Sequence, residues 1–284
     1  MSDAYSPTAR RRRLSAELRQ LREATGRTAA DVARTLDWPR SKLTRIEQNQ
    51  WKRPSLRDVK DLLDLYEVAD GSHRERLLEL TRQGRVKGWW TQYSDVFGPA
   101  EYIGLEAEAS AIRTWQPLTI PGLLQTRDYA AAMVRGGDIR NPEEVERRVE
   151  ARMARQIVLE RSEPPRIWAV LDEAATRKPV GGEEVLQAQL RHLLDVTQHE
   201  HITVQVVRDE SGAHAAMGGA FVVLDFPAEG DRPVVYLETL TEGLILEESD
   251  RIDRYSWLFQ HVSAAAMSPA DTVEYLKAKI VSKG

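Results

Sequence analysis

Residues 28–47, TAADVARTLDWPRSKLTRIE, constrain this chain most, because they read as two short helices held apart by a brief break. Thr28 caps the first. Asp31, three residues on, completes an S/T-x-x-acid capping box and puts its carboxylate at the positive end of the helix dipole. Val32, Ala33 and Leu36 share one face. Asp37 and Trp38 interrupt the pattern, Pro39 stands where a first-turn proline is tolerated, and Leu43 and Ile46 set the buried side of a second helix. Arg40, Ser41, Thr44 and Arg45 fall opposite them. A helix that hides a narrow apolar stripe and shows arginines and hydroxyls suits a DNA major groove, where bidentate arginine reads guanine. The expectation is a helix-turn-helix.

The net charge of −4 hides an asymmetry that supports this. Up to Lys87 there are 20 Lys and Arg against 13 Asp and Glu, a balance of +7; beyond it there are 20 against 31. A polyanion-binding segment joined to an acidic domain that stays off DNA fits that division, as does chance clustering of solvated charge. A chain of 284 residues is comfortable as two domains with a core in each. Without cysteine, disulfides and thiolate zinc sites are excluded. No apolar run approaches the roughly 18 residues of a membrane span, and the first 13 residues are polar and basic, so the expected setting is cytoplasmic, with no membrane partner.

Residues 1–9 read as a flexible arm. Arg10 to Arg13 lead into LSAELRQLREA, where Leu14, Leu18 and Leu21 repeat at helical spacing, and Gly26 closes that helix. The four arginines are either a minor-groove or phosphate arm or a solvated helix start. After the helix-turn-helix, the loop NQWKRPS offers Lys52 and Arg53 to phosphates, which fix register without reading sequence. Ser55 caps a fourth helix with Val59, Leu62, Leu63 and Tyr66 inside, and a fifth follows from Ser72 with Leu77, Leu78 and Leu80. Five helices over residues 10–87 make a small all-helical domain.

This order of helices, LRQLREATG, TAADVARTL, PRSKLTRIEQNQ and then KRPS, resembles the Xre-type DNA-binding domains of the lambda and 434 repressor class. The resemblance implies base reading by Arg40, Ser41 and Arg45, phosphate contacts from Lys52 and Arg53, and an orienting pair of Arg22 with Glu47. Thr44, on the same exposed face, is a further candidate base reader, and Arg27 and Lys42 are further candidate phosphate contacts. One departure is Ala29, where that class commonly carries a glutamine that braces the reading helix; Arg27 or Arg34 is the candidate substitute. Further on, the WW at 89–90, YIGLEAEA and RTWQPLTIPGLLQTRDYA resemble the second domain of actinomycete Xre-type regulators in an antitoxin-like gene arrangement. That resemblance implies a small partner protein encoded nearby.

The second domain, residues 88–284, reads as α+β with a mainly antiparallel sheet. Residues 143–161 form a long helix stopped by Pro164 and Pro165, RIWAVLDE at 166–173 a buried strand, and residues 183–199 another helix. ITVQVV, GAFVVLDF and PVVYLETL are expected as an antiparallel meander, and residues 252–267 and 269–281 as closing helices.

Chemistry is sparse in this half. His192, His199 and His201 match no zinc spacing, so no metal is expected. Ser211-Gly212-Ala213-His214 with Gly218-Gly219 lacks the context of a nucleophile elbow or a P-loop. The acidic run Glu247, Glu248, Asp250 and Asp253 reads as a solvated helix start. Trp89, Trp90, Tyr93 and Trp115 are either packing residues or the lining of a surface for a small-molecule effector or a partner protein. The expectation is therefore a regulator on double-stranded DNA, a homodimer on an inverted repeat, without enzymatic activity or cofactor. The rivals are an interaction protein that binds a small partner and, less favoured, an enzyme of the second domain.

Overall fold

The computed structural model describes residues 6–51, 53–97, 101–137, 139–227, 231–239 and 241–281. The chain divides into two compact units, Met1–Ser94 with Pro99–Glu108, and Asp95–Gly98 with Ala109–Gly284.

The first unit holds α1 (Pro7–Ala24), α2 (Ala29–Thr35), α3 (Arg40–Glu47), α4 (Leu56–Leu65) and α5 (Gly71–Gln83), followed by a 3-10 turn at Trp89–Tyr93. A single turn, α6 (Ser94–Phe97), falls at the division, and α7 (Glu101–Glu106) returns to the first unit and packs on α1. Leu14, Leu18, Val32, Leu43, Ile46, Val59, Leu62, Leu63 and Leu77 form its core. Local chemistry sets the helix starts. Thr28 and Asp31 make both arms of the expected capping box, and the Ser55 and Asp70 side chains accept from Asp58 and Ser72 backbone N–H groups. The ends of α2, α3 and α4 share one device. Asp37, Asn49 and Glu67 take positive φ, and the next residue's N–H reaches back to the carbonyls of Ala33, Arg45 and Leu63. These are Schellman ends made without glycine.

Two expectations change at the edges of this unit. Residues 6–9, expected within the arm, are the start of α1: Ser6 caps it, Pro7 occupies its first turn, and Ser6 and Thr8 are buried. The arm's residues 1–5 lie outside the described residues. The change of composition near Lys87 and the change of packing do not coincide, because α7 belongs with α1. There Gly104 lies so close to Thr8 and Trp90 that a Cβ would overlap both.

The second unit is built on a six-stranded mixed sheet in the order β3-β2-β1-β4-β5-β6, with β1 (Ala111–Gln116), β2 (Arg166–Asp172), β3 (Ile202–Val207), β4 (Phe221–Asp225), β5 (Val234–Glu238) and β6 (Gly243–Leu246). The pairs β1–β2 and β2–β3 are parallel; β1–β4, β4–β5 and β5–β6 are antiparallel. Parallel neighbours need helical crossovers. The first is supplied by α8 (Arg127–Gly136) and α9 (Pro142–Arg155), the second by α10 (Glu173–Arg177) and α11 (Glu183–Val196). Helix α12 (Ser249–Ala265) covers one face, packing Phe259 and Val262 on Trp115, Val170, Val207 and Val223, and α13 (Pro269–Val281) lies beside β3 and α11.

The α+β class with a mainly antiparallel sheet holds, but of the expected meander only the antiparallel pair β4–β5 forms. ITVQVV is β3, which lies at the sheet edge, parallel to β2 and three places from its sequence successor β4. Its outer edge is covered: Met267 N–H donates to the Val206 carbonyl, and Val206 N–H donates to Thr272 Oγ1. β1 and β6 were not anticipated. No helix among the described residues is long and apolar enough to cross a membrane.

Candidate nucleic-acid interface

Helix α3 buries Leu43 and Ile46 and leaves Arg40, Ser41, Thr44 and Arg45 exposed on the opposite side. The turn before it follows from the end of α2. Asp37 in the left-handed region reverses the chain, Trp38 N–H closes on the Ala33 carbonyl at 2.8 Å, and Pro39 caps α3 with no side-chain hydrogen bond. Pro39 thus stands one place before the helix rather than in its first turn. Arg45 Nε donates to the Ser41 carbonyl at 3.3 Å, which lays its stem along the helix.

The other end of α3 is tied to α1. Arg22 grips Glu47 with two parallel bonds, Nε to Oε1 at 2.6 Å and Nη2 to Oε2 at 3.0 Å, and Nη1 donates to the Arg27 carbonyl at 2.8 Å. The two side chains are only 13% and 9% exposed, so the fork acts with little solvent competition. The hydrogen bond to Glu47 raises the Arg22 pKa above its ordinary value. Burial pushes the phenol of Tyr66, which lies near this pair, well above the usual tyrosine range.

One cation expected at a phosphate also makes a contact within the domain. Lys42 donates to Asp58 at 2.8 Å and sits 3.9 Å over the Trp38 ring, joining α3 to α4. Sequence reading missed this because Asp58 is remote along the chain. Arg53 is exposed and Arg27 half-buried; Lys52 lies outside the described residues. The loop carrying Arg53 is anchored on both sides, by Trp51 Nε1 donating to Ser15 Oγ at 3.0 Å and by buried Pro54. Arg34 pairs with Asp31 at 3.1 Å on an exposed helix face. Ala29 packs against the core from its edge and offers no polar group to the start of α3.

Three of the arginines at 10–13 make contacts within the first unit. Arg10 pairs with Glu108 at 2.6 Å, Arg11 donates to the Gly84 carbonyl at 3.1 Å, and Arg13 faces Glu17, so they brace α1 within its own unit. The aromatic group also divides. Trp89 packs edge-on against Trp90 and Tyr93 in the first unit, with Trp90 buried. Trp115 is fully buried in the sheet core of the second, edge-on to His214. One surface made of all four is therefore excluded.

In the second unit the polar groups that matter went unnoticed in the sequence. Gln189, fully buried, accepts from Thr126 N–H and donates to the Leu124 carbonyl, both at 2.7 Å. Gln125 Nε2 donates to the Ile120 carbonyl at 2.7 Å and its Oε1 accepts from Arg152 at 2.9 Å, while Gln156 Nε2 reaches the Gly122 and Gln125 carbonyls. These side chains hold the irregular segment after β1. A signal existed: Gln189 sits on the apolar stripe of Leu186, Leu190 and Leu193, where a polar residue must find an internal partner. Glu173 is also buried and receives Arg208 Nε, Asp209 N–H and Tyr275 Oη at 3.0, 3.0 and 3.2 Å. Burial pushes its pKa up, but these donors outweigh it and the net displacement is downward; Tyr275 is pushed up to about 12, chiefly by burial. Among the described residues no group of three or more histidines and acids is placed to hold a metal ion.

Comparison with known proteins finds two families along the chain. Residues 13–77 match the family described as a helix-turn-helix domain. No curated protein and no solved structure matches the chain. Residues 99–278, more than half of the sequence, match the family described as a domain of unknown function, DUF5753, and the chain belongs to that family.

Proposed function

We propose that the protein is a sequence-specific transcriptional regulator of the Xre type. The observation that carries this is the exposed row Arg40, Ser41, Thr44 and Arg45 on a short helix whose far end is fixed by the Arg22–Glu47 fork. Arginine forks on such a face read guanine edges, and hydroxyls read either base type. Arg53 and Arg27 hold phosphates and set the register, while Lys42 supports α3 from within. Two copies on an inverted repeat present their α3 helices to successive major grooves about 34 Å apart. The second unit is the dimerisation and sensing module, responsive to a small ligand or to a partner protein encoded nearby, and the protein is not an enzyme.

A genome-wide binding profile followed by mobility shifts on the recovered operator tests this. Arg40→Ala and Arg45→Ala are expected to lower discrimination between operator and random DNA by about 1–3 kcal/mol each. Arg53→Ala is expected to weaken all DNA alike and reduce the salt slope by about one. Unchanged operator binding by all three variants rejects the reading. Co-purification of a small partner from its own operon, with no operator recovered, favours the interaction-protein reading instead.

A further inference from the structure

The segment between β1 and α8 is held by more side-chain hydrogen bonds to backbone than a connection of its length needs. Tyr129, Gln125, Gln156 and Gln189 between them fix Ile120, Gly122, Leu124, Gln125 and Thr126. It leaves β1 at its carboxyl end. There the sheet's connectivity parts: the chain leaving β1 goes to β2 on one side, and the chain leaving β3 returns to β4 on the other. Open sheets with parallel strands bind ligands in the crevice outside such a parting.

Arg152, near the end of α9, is turned into this segment. Its hydrogen bond goes to a neutral acceptor, Gln125 Oε1 at 2.9 Å, and among the described residues no carboxylate lies within ion-pair distance of it. The nearest acidic influence is that of Glu238 at the end of β5, at longer range, and the neighbouring cation Arg155 opposes it. Burial lowers the Arg152 pKa, the mark of a cation paying for lost water. The helix dipole accounts for cations at the end of α9, but not for withdrawing one from solvent without a counter-charge.

We propose that Arg152 anchors a binding site for a small molecule bearing an oxyanion, a carboxylate or a phosphoryl group, at the carboxyl end of β1. The anion supplies the counter-charge that the chain withholds, and the Ile120–Thr126 backbone, already fixed, costs little further ordering on binding. The site does not depend on the DNA-binding reading.

The test titrates the full-length protein with inorganic phosphate and, separately, with acetate, against chloride at matched ionic strength, following thermal unfolding and calorimetry. A saturable rise in Tm beyond chloride is expected with at least one; phosphate alone assigns a phosphoryl ligand, acetate alone a carboxylate, and both a general oxyanion site. Arg152→Met, which keeps the stem and removes the charge, is expected to fold with a somewhat lower anion-free Tm, because Gln125 Oε1 loses its donor, and to lose the saturable response. Arg152→Lys keeps the charge without the fork and is expected to weaken the apparent Kd at least about tenfold. No response in the wild type beyond chloride, or a wild-type response in either variant, overturns the proposal.

Discussion

In the first unit the buried side chains are mostly leucine, valine and isoleucine with a few hydroxyls and Glu106, and most polar groups work at helix ends or between helices: Thr28 and Asp31, Ser55, Lys42 with Asp58, Arg22 with Glu47. In the second unit Gln125, Gln189, Gln205 and Glu173 stand inside; the last three bond to backbone far away in sequence, and Gln125 to the Ile120 carbonyl. The difference follows from the elements. Helices satisfy their own backbone except at the ends, so a helical unit needs caps and a few braces. A sheet with crossovers leaves irregular segments at strand ends, and their buried amides and carbonyls need side-chain partners.

The largest effect expected from this contrast is in the second unit. Gln189→Leu strands Thr126 N–H and the Leu124 carbonyl, and is expected to cost about 4 kcal/mol for two buried unpaired groups. Urea unfolding measures the loss, and hydrogen exchange is expected to rise over residues 120–130 while α1 to α5 stay protected. Exchange that rises equally in both units breaks the contrast. Arg22→Met removes half of a buried fork and leaves Glu47 unpaired, at about 3 kcal/mol in the first unit. Operator binding is expected to fall with it even where the protein remains folded, because the end of α3 is released; unfolding without loss of binding in the folded fraction removes the orienting role.

A smaller effect depends on pH. The Glu173 pKa is displaced downward in the folded state, so its contribution is fully present above the ordinary value of 4.5 and is lost as pH falls through the lower folded value. Glu173→Gln is expected to cost about 1–2 kcal/mol at neutral pH and to flatten the fall in stability of the second unit below that value. An unchanged acid limb in the variant places the titrating group elsewhere. The smallest effect is a gain. Asp37 ends α2 at a φ of 54°, where glycine is at ease, and Asp37→Gly is expected to stabilise the first unit by about 0.5–1 kcal/mol in thermal unfolding.

Much of the first unit was legible because its rules are short-ranged. The capping box at Thr28, the stripe of Leu43 and Ile46, and the cap at Ser55 each lie within one or two helical turns of sequence, and all three appear in the structure. The Lys42–Asp58 pair was illegible for the opposite reason: a position on a helix looks the same in sequence whether or not an Asp58 waits across the gap. In the second unit RIWAVLD announced itself as a strand through its apolar run. AIRTWQ did not, because Arg113, Thr114 and Gln116 break the run; Arg113 is neutralised by Asp225 on β4 and Thr114 bonds to the Phe221 carbonyl. Glycine- and proline-bounded runs suggest hairpins, so β3 was set beside β4, whereas the crossover through α10 and α11 places it beside β2.

The sequence by itself determined the helix-turn-helix, the face that α3 exposes and the presence of an α+β second unit, since periodicity and caps act over a few residues. Only the tertiary structure decided the strand order, the burial of Trp115, the use of Lys42 as a brace, and the lack, among the described residues, of a carboxylate within ion-pair distance of Arg152. Each of those depends on which distant segment fills the space beside a residue, and partners that meet only after the chain has folded leave little local trace.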